Sequence, residues 1–154
     1  MLFTQAALQD YEDLFNSAKH ELDIFTGRHD MEYADAFIRA AGCFLSRQGS
    51  RLRLACQCGQ EIRQCPIVKA ILATPGRQGE ILVYDSHNSL DESYFILADR
   101  SSYRIEFPEF AETIIDYDDR EEAARLLVHF EYILSTSTVT TRLPPPLRLL
   151  RPDH

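Results

Sequence analysis

The chain has 154 residues, 45% hydrophobic and 26% charged, a size and balance that fit one globular domain able to bury a core without metal or disulfide staples. No apolar run approaches the roughly 20 residues needed to span a bilayer, and the start Met-Leu-Phe-Thr-Gln lacks the basic opening and apolar core of a secretory signal, so a cytoplasmic location is the expectation. The formal net charge of −8 disfavours attachment to nucleic acid or to an anionic membrane, because phosphate contacts draw on Lys and Arg.

Thr4 can cap a first helix, along which Ala7, Leu8, Tyr11, Leu14, Phe15 and Ala18 recur at helical spacing. Leu22-Asp-Ile-Phe25 reads as a short strand ended by Gly27. A second helix follows over about 31–45, with Tyr33, Ala34, Phe37, Ile38, Ala41 and Leu45 on its apolar face and Gly49 at its exit. Arg51-Leu-Arg-Leu-Ala-Cys56 alternates as a half-buried strand should. Next come a helix over roughly 61–73, interrupted near Pro66, and a strand at Glu80-Ile-Leu-Val-Tyr84. The window beginning at Tyr94 and the segment Tyr103-Arg-Ile-Glu-Phe107 are two strands separated by a polar turn, a hairpin signal. A shorter extended segment at Thr113-Ile-Ile115 precedes the last helix, which opens with the capping-box pattern Asp119-x-x-Glu122. Its face is Ala123, Leu126, Leu127, Phe130, Ile133 and Leu134.

This order predicts an α/β sandwich: a mixed β-sheet flanked by helices. Residues 1–137 read as the single domain. Residues 138–154 read as a Pro/Arg-rich tail, where Pro144-Pro-Pro146 favours a polyproline II stretch and no core awaits it.

The window Asp91-Glu-Ser-Tyr-Phe-Ile-Leu-Ala-Asp99 resembles the motif strand of a phospholipase D-like half-domain. At that family's spacing, His-x-Lys-x4-Asp, Glu92 stands at the His position, Tyr94 at the Lys position and Asp99 at the Asp position. Only Asp99 matches. The chemistry implied by the family needs an imidazole to attack phosphorus and an ammonium to hold phosphate oxygens. A carboxylate repels that substrate, and a phenol carries no positive charge at neutral pH. The resemblance is therefore to a degenerate half-domain, and it implies a phospholipase D-like sandwich without phosphodiester cleavage. The segments Ala18-Lys-His-Glu-Leu-Asp-Ile-Phe-Thr26, Arg51-Leu-Arg-Leu-Ala-Cys-Gln57 and Phe95-Ile-Leu-Ala-Asp-Arg-Ser-Ser-Tyr-Arg104 also resemble a small proteobacterial domain of unknown function, found alone or behind acetyltransferase domains. That likeness covers roughly residues 5–137.

Among other candidates, His29 and Asp30 follow the first strand, and Asp85 and His87 follow the third, at the strand ends where α/β folds place ligands. They form the best residual acid–base constellation. Cys56, Cys58 and Cys65 have poor zinc spacing even with His87 added, so no metal and no cofactor is expected. The densest charge feature is acidic: Glu106, Glu109, Glu112, Asp116, Asp118, Asp119, Glu121 and Glu122 against Arg120 alone. The tail residues Arg142, Arg148 and Arg151 are candidate partners for it, within one chain or across two.

The expected function is a non-catalytic interaction or regulatory module that dimerises or docks on a partner protein, since the family places two halves face to face. One alternative is a diverged enzyme using His29 and His87 on a phosphorylated or acyl substrate. Another is a nucleic-acid accessory protein presenting Arg28, Arg47, Arg51, Arg53, Arg63 and Lys69.

Overall fold

A computed structural model describes residues 12–26, 34–57, 66–86, 94–107 and 112–146. Residues 12–17 are helical and are labelled α1. The elements that follow are β1 (Glu21–Thr26), α2 (Ala34–Leu45), β2 (Arg51–Cys56), α3 (Pro66–Leu72), β3 (Glu80–Asp85), β4 (Tyr94–Ala98), β5 (Ser102–Phe107), β6 (Glu112–Asp116), α4 (Arg120–Ser135) and β7 (Thr138–Leu143).

The seven strands form one mixed sheet in the order β6-β5-β4-β1-β2-β3-β7. β1, β2 and β3 run parallel, joined by chain long enough for crossovers. β4 lies antiparallel against β1, so the hairpin read from the sequence sits beside the central strand, with Phe25 opposite Phe95 and Leu22 opposite Ala98. β5 and β6 continue outward as an antiparallel meander, and β7 closes against β3.

Both faces of the sheet are covered, which explains why β1 and β2 each bury five consecutive residues instead of alternating. On one face Leu22, Ile24, Leu52, Leu54, Ile81, Val83 and Ile96 meet Leu14 and Phe15 of α1, Phe37, Ala41 and Phe44 of α2, and Val68 and Ile71 of α3. On the other, Phe25, Ala55, Phe95, Leu97, Tyr103 and Ile105 meet Ala123, Leu126, Phe130 and Ile133 of α4. The period of 3.6 residues read in the last helix thus selects the buried stripe. Asp119 caps that helix, its Oδ1 accepting from the Glu122 N–H at 3.1 Å.

α3 begins at Pro66, where a fixed φ and a missing N–H suit the first turn; residues 61–65 of the expected helix lie outside the described residues. Gly49 turns the chain out of α2 with φ +79. At Gly79 a Cβ would stand 2.0 Å from Ser50 Oγ and 2.7 Å from the Ser50 carbonyl oxygen, so β2 and β3 begin this close together only because the residue is glycine.

Two expectations are corrected. Residues 138–143, read as the start of a tail, form β7 and pair with β3 from Ile81 to Asp85. Thr140 breaks the regular register with a bulge and donates to the Val83 carbonyl at 3.2 Å. The alternation of β2 does not put its arginines in water either: Arg53 is only 6% exposed. Among the described residues, no helix is long and apolar enough to cross a membrane.

Candidate functional site

Two of the three motif positions lie at the two ends of β4. Tyr94 opens the strand and Asp99 follows its last residue, five residues on, roughly 16 Å at about 3.3 Å per residue. Glu92 lies outside the described residues. The Tyr94 ring packs 6.0 Å from that of Phe25, and burial pushes its phenol pKa up, with Glu106 adding to the shift. Asp99 and Arg100 both take positive φ, 51° and 59°, in the turn closed by the Ser101 N–H donating to the Ala98 carbonyl. The Asp99 carboxylate leaves the hairpin and accepts three backbone N–H groups at the start of β1: Lys19 at 2.7 Å on Oδ2, and His20 and Glu21 at 2.8 Å each on Oδ1. Partial burial raises its pKa, but these three bonds outweigh burial and hold it below the usual carboxylate value. Glu21 completes the junction, accepting from Arg51 and from Arg100 at 2.8 Å each.

Among the described residues, a buried ion cluster joins β1, β2 and α4. Asp23 and Arg53 are register partners on β1 and β2, 1% and 6% exposed. Arg53 grips Asp23 through Nε at 2.7 Å and Nη2 at 3.0 Å, donates from Nη1 to Glu131 of α4 at 2.7 Å, and lies 5.2 Å from the centre of the Phe130 ring. Burial raises the Asp23 pKa against the pull of Arg53. Burial also works against the Arg53 charge, yet the bonds to Asp23 and Glu131 overcome it and raise that pKa. With these groups committed, the guanidinium ties α4 to the sheet and is not available to grip phosphate.

At the carboxyl edge of the parallel strands the ladder continues one residue beyond the elements. Gln57 N–H donates to the Thr26 carbonyl at 3.1 Å, and Ser86 N–H donates to the Cys56 carbonyl at 2.9 Å. Asp85 stands here, in register with Cys56 and Thr138. His29, Asp30 and His87 lie outside the described residues, as do Cys58 and Cys65. Two polar atoms at this edge, Gln57 Nε2 and Ser86 Oγ, are buried with no hydrogen-bond partner among the described residues. Neither carried a sequence signal, because an amide and a hydroxyl at strand ends are ordinary. Among the described residues, no group of three or more His, Cys, Asp or Glu side chains is placed to hold a metal ion.

The acidic run is partly used within the fold. Glu106 takes a 3.3 Å contact from Arg104, Asp116 Oδ1 accepts the Asp118 N–H, and Glu121 and Glu122 pair with Arg125. Asp119 accepts the Tyr103 hydroxyl at 3.0 Å as well as capping α4; burial and this bond push the Tyr103 pKa up to about 12. Asp118 is exposed, and the side chains of Glu109 and Glu112 are outside what is described. Arg142 belongs to β7, at the opposite edge from β6 and 3.6 Å from Glu80; Arg148 and Arg151 lie outside the described residues. Six strand spacings of about 4.8 Å make roughly 29 Å, so Arg142 does not neutralise the acidic run of its own chain. Of the proposed basic face, Arg51 and Arg53 are paired and Arg47 donates to the Ala18 and Asn16 carbonyls, while Lys69 is exposed. Arg28 and Arg63 lie outside the described residues.

α4 turns an apolar pair outward. Val128 and Tyr132, one turn apart, are 71% and 59% exposed, and Val139 at the start of β7 is 55% exposed. No known protein family and no curated protein matches this sequence.

Proposed function

We propose that this chain is a non-catalytic interaction module of phospholipase D-like architecture, and that it pairs with a second copy of itself through the outer face of α4. The observation that carries the reading is the Val128–Tyr132 pair, held on the side of α4 opposite its buried residues. Apolar side chains at such exposure gain from a partner about 25 cal/mol for each Å² covered. Glu121, Arg125, Val128 and Tyr132 follow one another at helical spacing, so the stripe carries one charge of each sign. A neutral stripe on a chain of net charge −8 is where two copies repel each other least. The commitment of the Asp99 carboxylate to three backbone N–H groups supports the non-catalytic half of the reading.

Sedimentation equilibrium on the full chain tests it. Wild type is expected at twice 17.7 kDa in the micromolar range, and Val128→Glu with Tyr132→Glu at 17.7 kDa with an unchanged melting temperature. A wild type that stays monomeric throughout that range overturns the pairing, and hydrolysis of bis(p-nitrophenyl) phosphate by the purified chain overturns the non-catalytic assignment.

A further inference from the structure

We infer that the two copies lay their α4 helices antiparallel, with Val128 on the twofold axis and Arg125 of each copy over the Tyr132 ring of the other. The inference rests on the self-pairing through α4 proposed above and adds to it the direction and register of the helices. Val128 lies opposite the buried stripe of Ala123, Leu126, Phe130 and Ile133, so it is the centre of the outward face. At about 3.6 residues per turn, Ala124 and Glu131 flank it on one side and Arg125 and Tyr132 on the other, with Glu121 and Ser135 two turns away along its own line. All of these residues are exposed.

Charge selects the direction. A closed pair has a twofold axis that runs either along the helices or across them. An axis along them makes the helices parallel and sets each residue against its own copy, so that Glu121 faces Glu121 and Arg125 faces Arg125, two like-charge contacts in one seam. An axis across them through Val128 reverses the order along the face and keeps its two sides apart. Val128 then meets Val128, Arg125 meets Tyr132, Ala124 meets Glu131 and Glu121 meets Ser135, with no like charges opposed. The contacts also fit in kind. Arg125 donates to Glu121 at 3.2 Å and to Glu122 at 3.3 Å and still stays 70% exposed, a planar cation suited to an aromatic face. Ala124 is small enough to leave room for Glu131, whose charge is already answered by Arg53 at 2.7 Å. Sliding the copies until Val128 covers Tyr132 would instead crowd the two Glu131 carboxylates beside the axis.

The test carries Tyr132→p-benzoylphenylalanine in the full chain. Natural-abundance and ¹⁵N-labelled protein are mixed, irradiated and digested with trypsin, which cuts after Arg125 and so separates residues 121–125 from 126–142. Sedimentation equilibrium on the same sample reports whether the copies pair. Mixed-isotope crosslinks are expected on residues 121–125. A dimeric sample whose crosslinks fall only elsewhere, or that gives none, overturns the antiparallel register and leaves the pairing standing; a monomeric sample overturns both. Arg125→Ala separates the two directions independently. Its dimer dissociation constant is expected to rise about tenfold, because two cation–aromatic contacts are lost, whereas a parallel seam would be relieved of its facing arginines and tighten. A dimer of unchanged or greater affinity overturns the inference.

Discussion

Asp99 joins two parts of the chain separated by about eighty residues, and that role makes its charge a stabilising one. Its folded pKa lies below the ordinary 3.8, so the ionised form is the one the fold favours. The contribution is complete above pH 3.8 and is lost as the pH falls from there through the lower folded value. Asp99→Asn keeps a short polar side chain tolerant of positive φ but removes the charge. Thermal melts from about pH 5 downward should therefore fall less steeply for this variant than for wild type. Asp99→Ala, which loses all three N–H bonds and places a strained residue at φ 51, should cost about 2–3 kcal/mol in urea unfolding at neutral pH. The Asp23–Arg53 pair gives a second residue-scale outcome. Arg53→Met strands a buried carboxylate beside an apolar group and is expected to cost about 3–5 kcal/mol, whereas adding Asp23→Leu should recover most of it, read by the same unfolding assay. Asp99 as a turn former was legible locally, from an Asp-Arg-Ser-Ser turn between two strands. Its partners at 19–21 were not, because a carboxylate bonding to backbone N–H groups leaves no trace in their side chains. Asp23 and Arg53 sat in plain view, each the inner of two charges in an otherwise mostly apolar strand. Only the parallel register of β1 and β2 reveals that they answer each other.

The elements followed from periodicity wherever one face had to be buried, and β7 shows where that reasoning stops. Thr138-Val-Thr-Thr-Arg-Leu143 is rich in β-branched residues, a strand signal. The prolines at 144–146 drew the whole segment into a polyproline reading, yet a proline run just beyond a strand only ends it. The pattern also lacks a strongly apolar face, because β7 is an edge strand whose residues are exposed or half-buried. Its contribution is to satisfy the outer backbone groups of β3 and to cover Ile81 and Val83, both 0% exposed, with Leu143 packing against the same core. A chain ending at Ser137 is therefore expected to lose cooperative thermal unfolding and to aggregate, which differential scanning calorimetry against the full-length protein checks.

At the scale of the whole molecule, the mixed α/β class and the place of the hairpin were readable, because both depend on the order of elements and on which stretches are apolar. The unequal layers were not. Among the described residues, α1, α2 and α3 share one face and α4 alone packs on the other, an asymmetry decided by the side on which each connection crosses. That lone helix leaves the outward stripe on which the proposed pairing rests. The charge run in the sequence gave no hint of its distance from β7, which only the strand order supplies. The same order makes β6 the outermost strand of the sheet among the described residues, and its sequence carries an acid at each end of Thr-Ile-Ile. Like charges set against each other across paired strand edges are destabilising, so a strand written this way opposes edge-to-edge growth of fibrils only while its acids stay ionised.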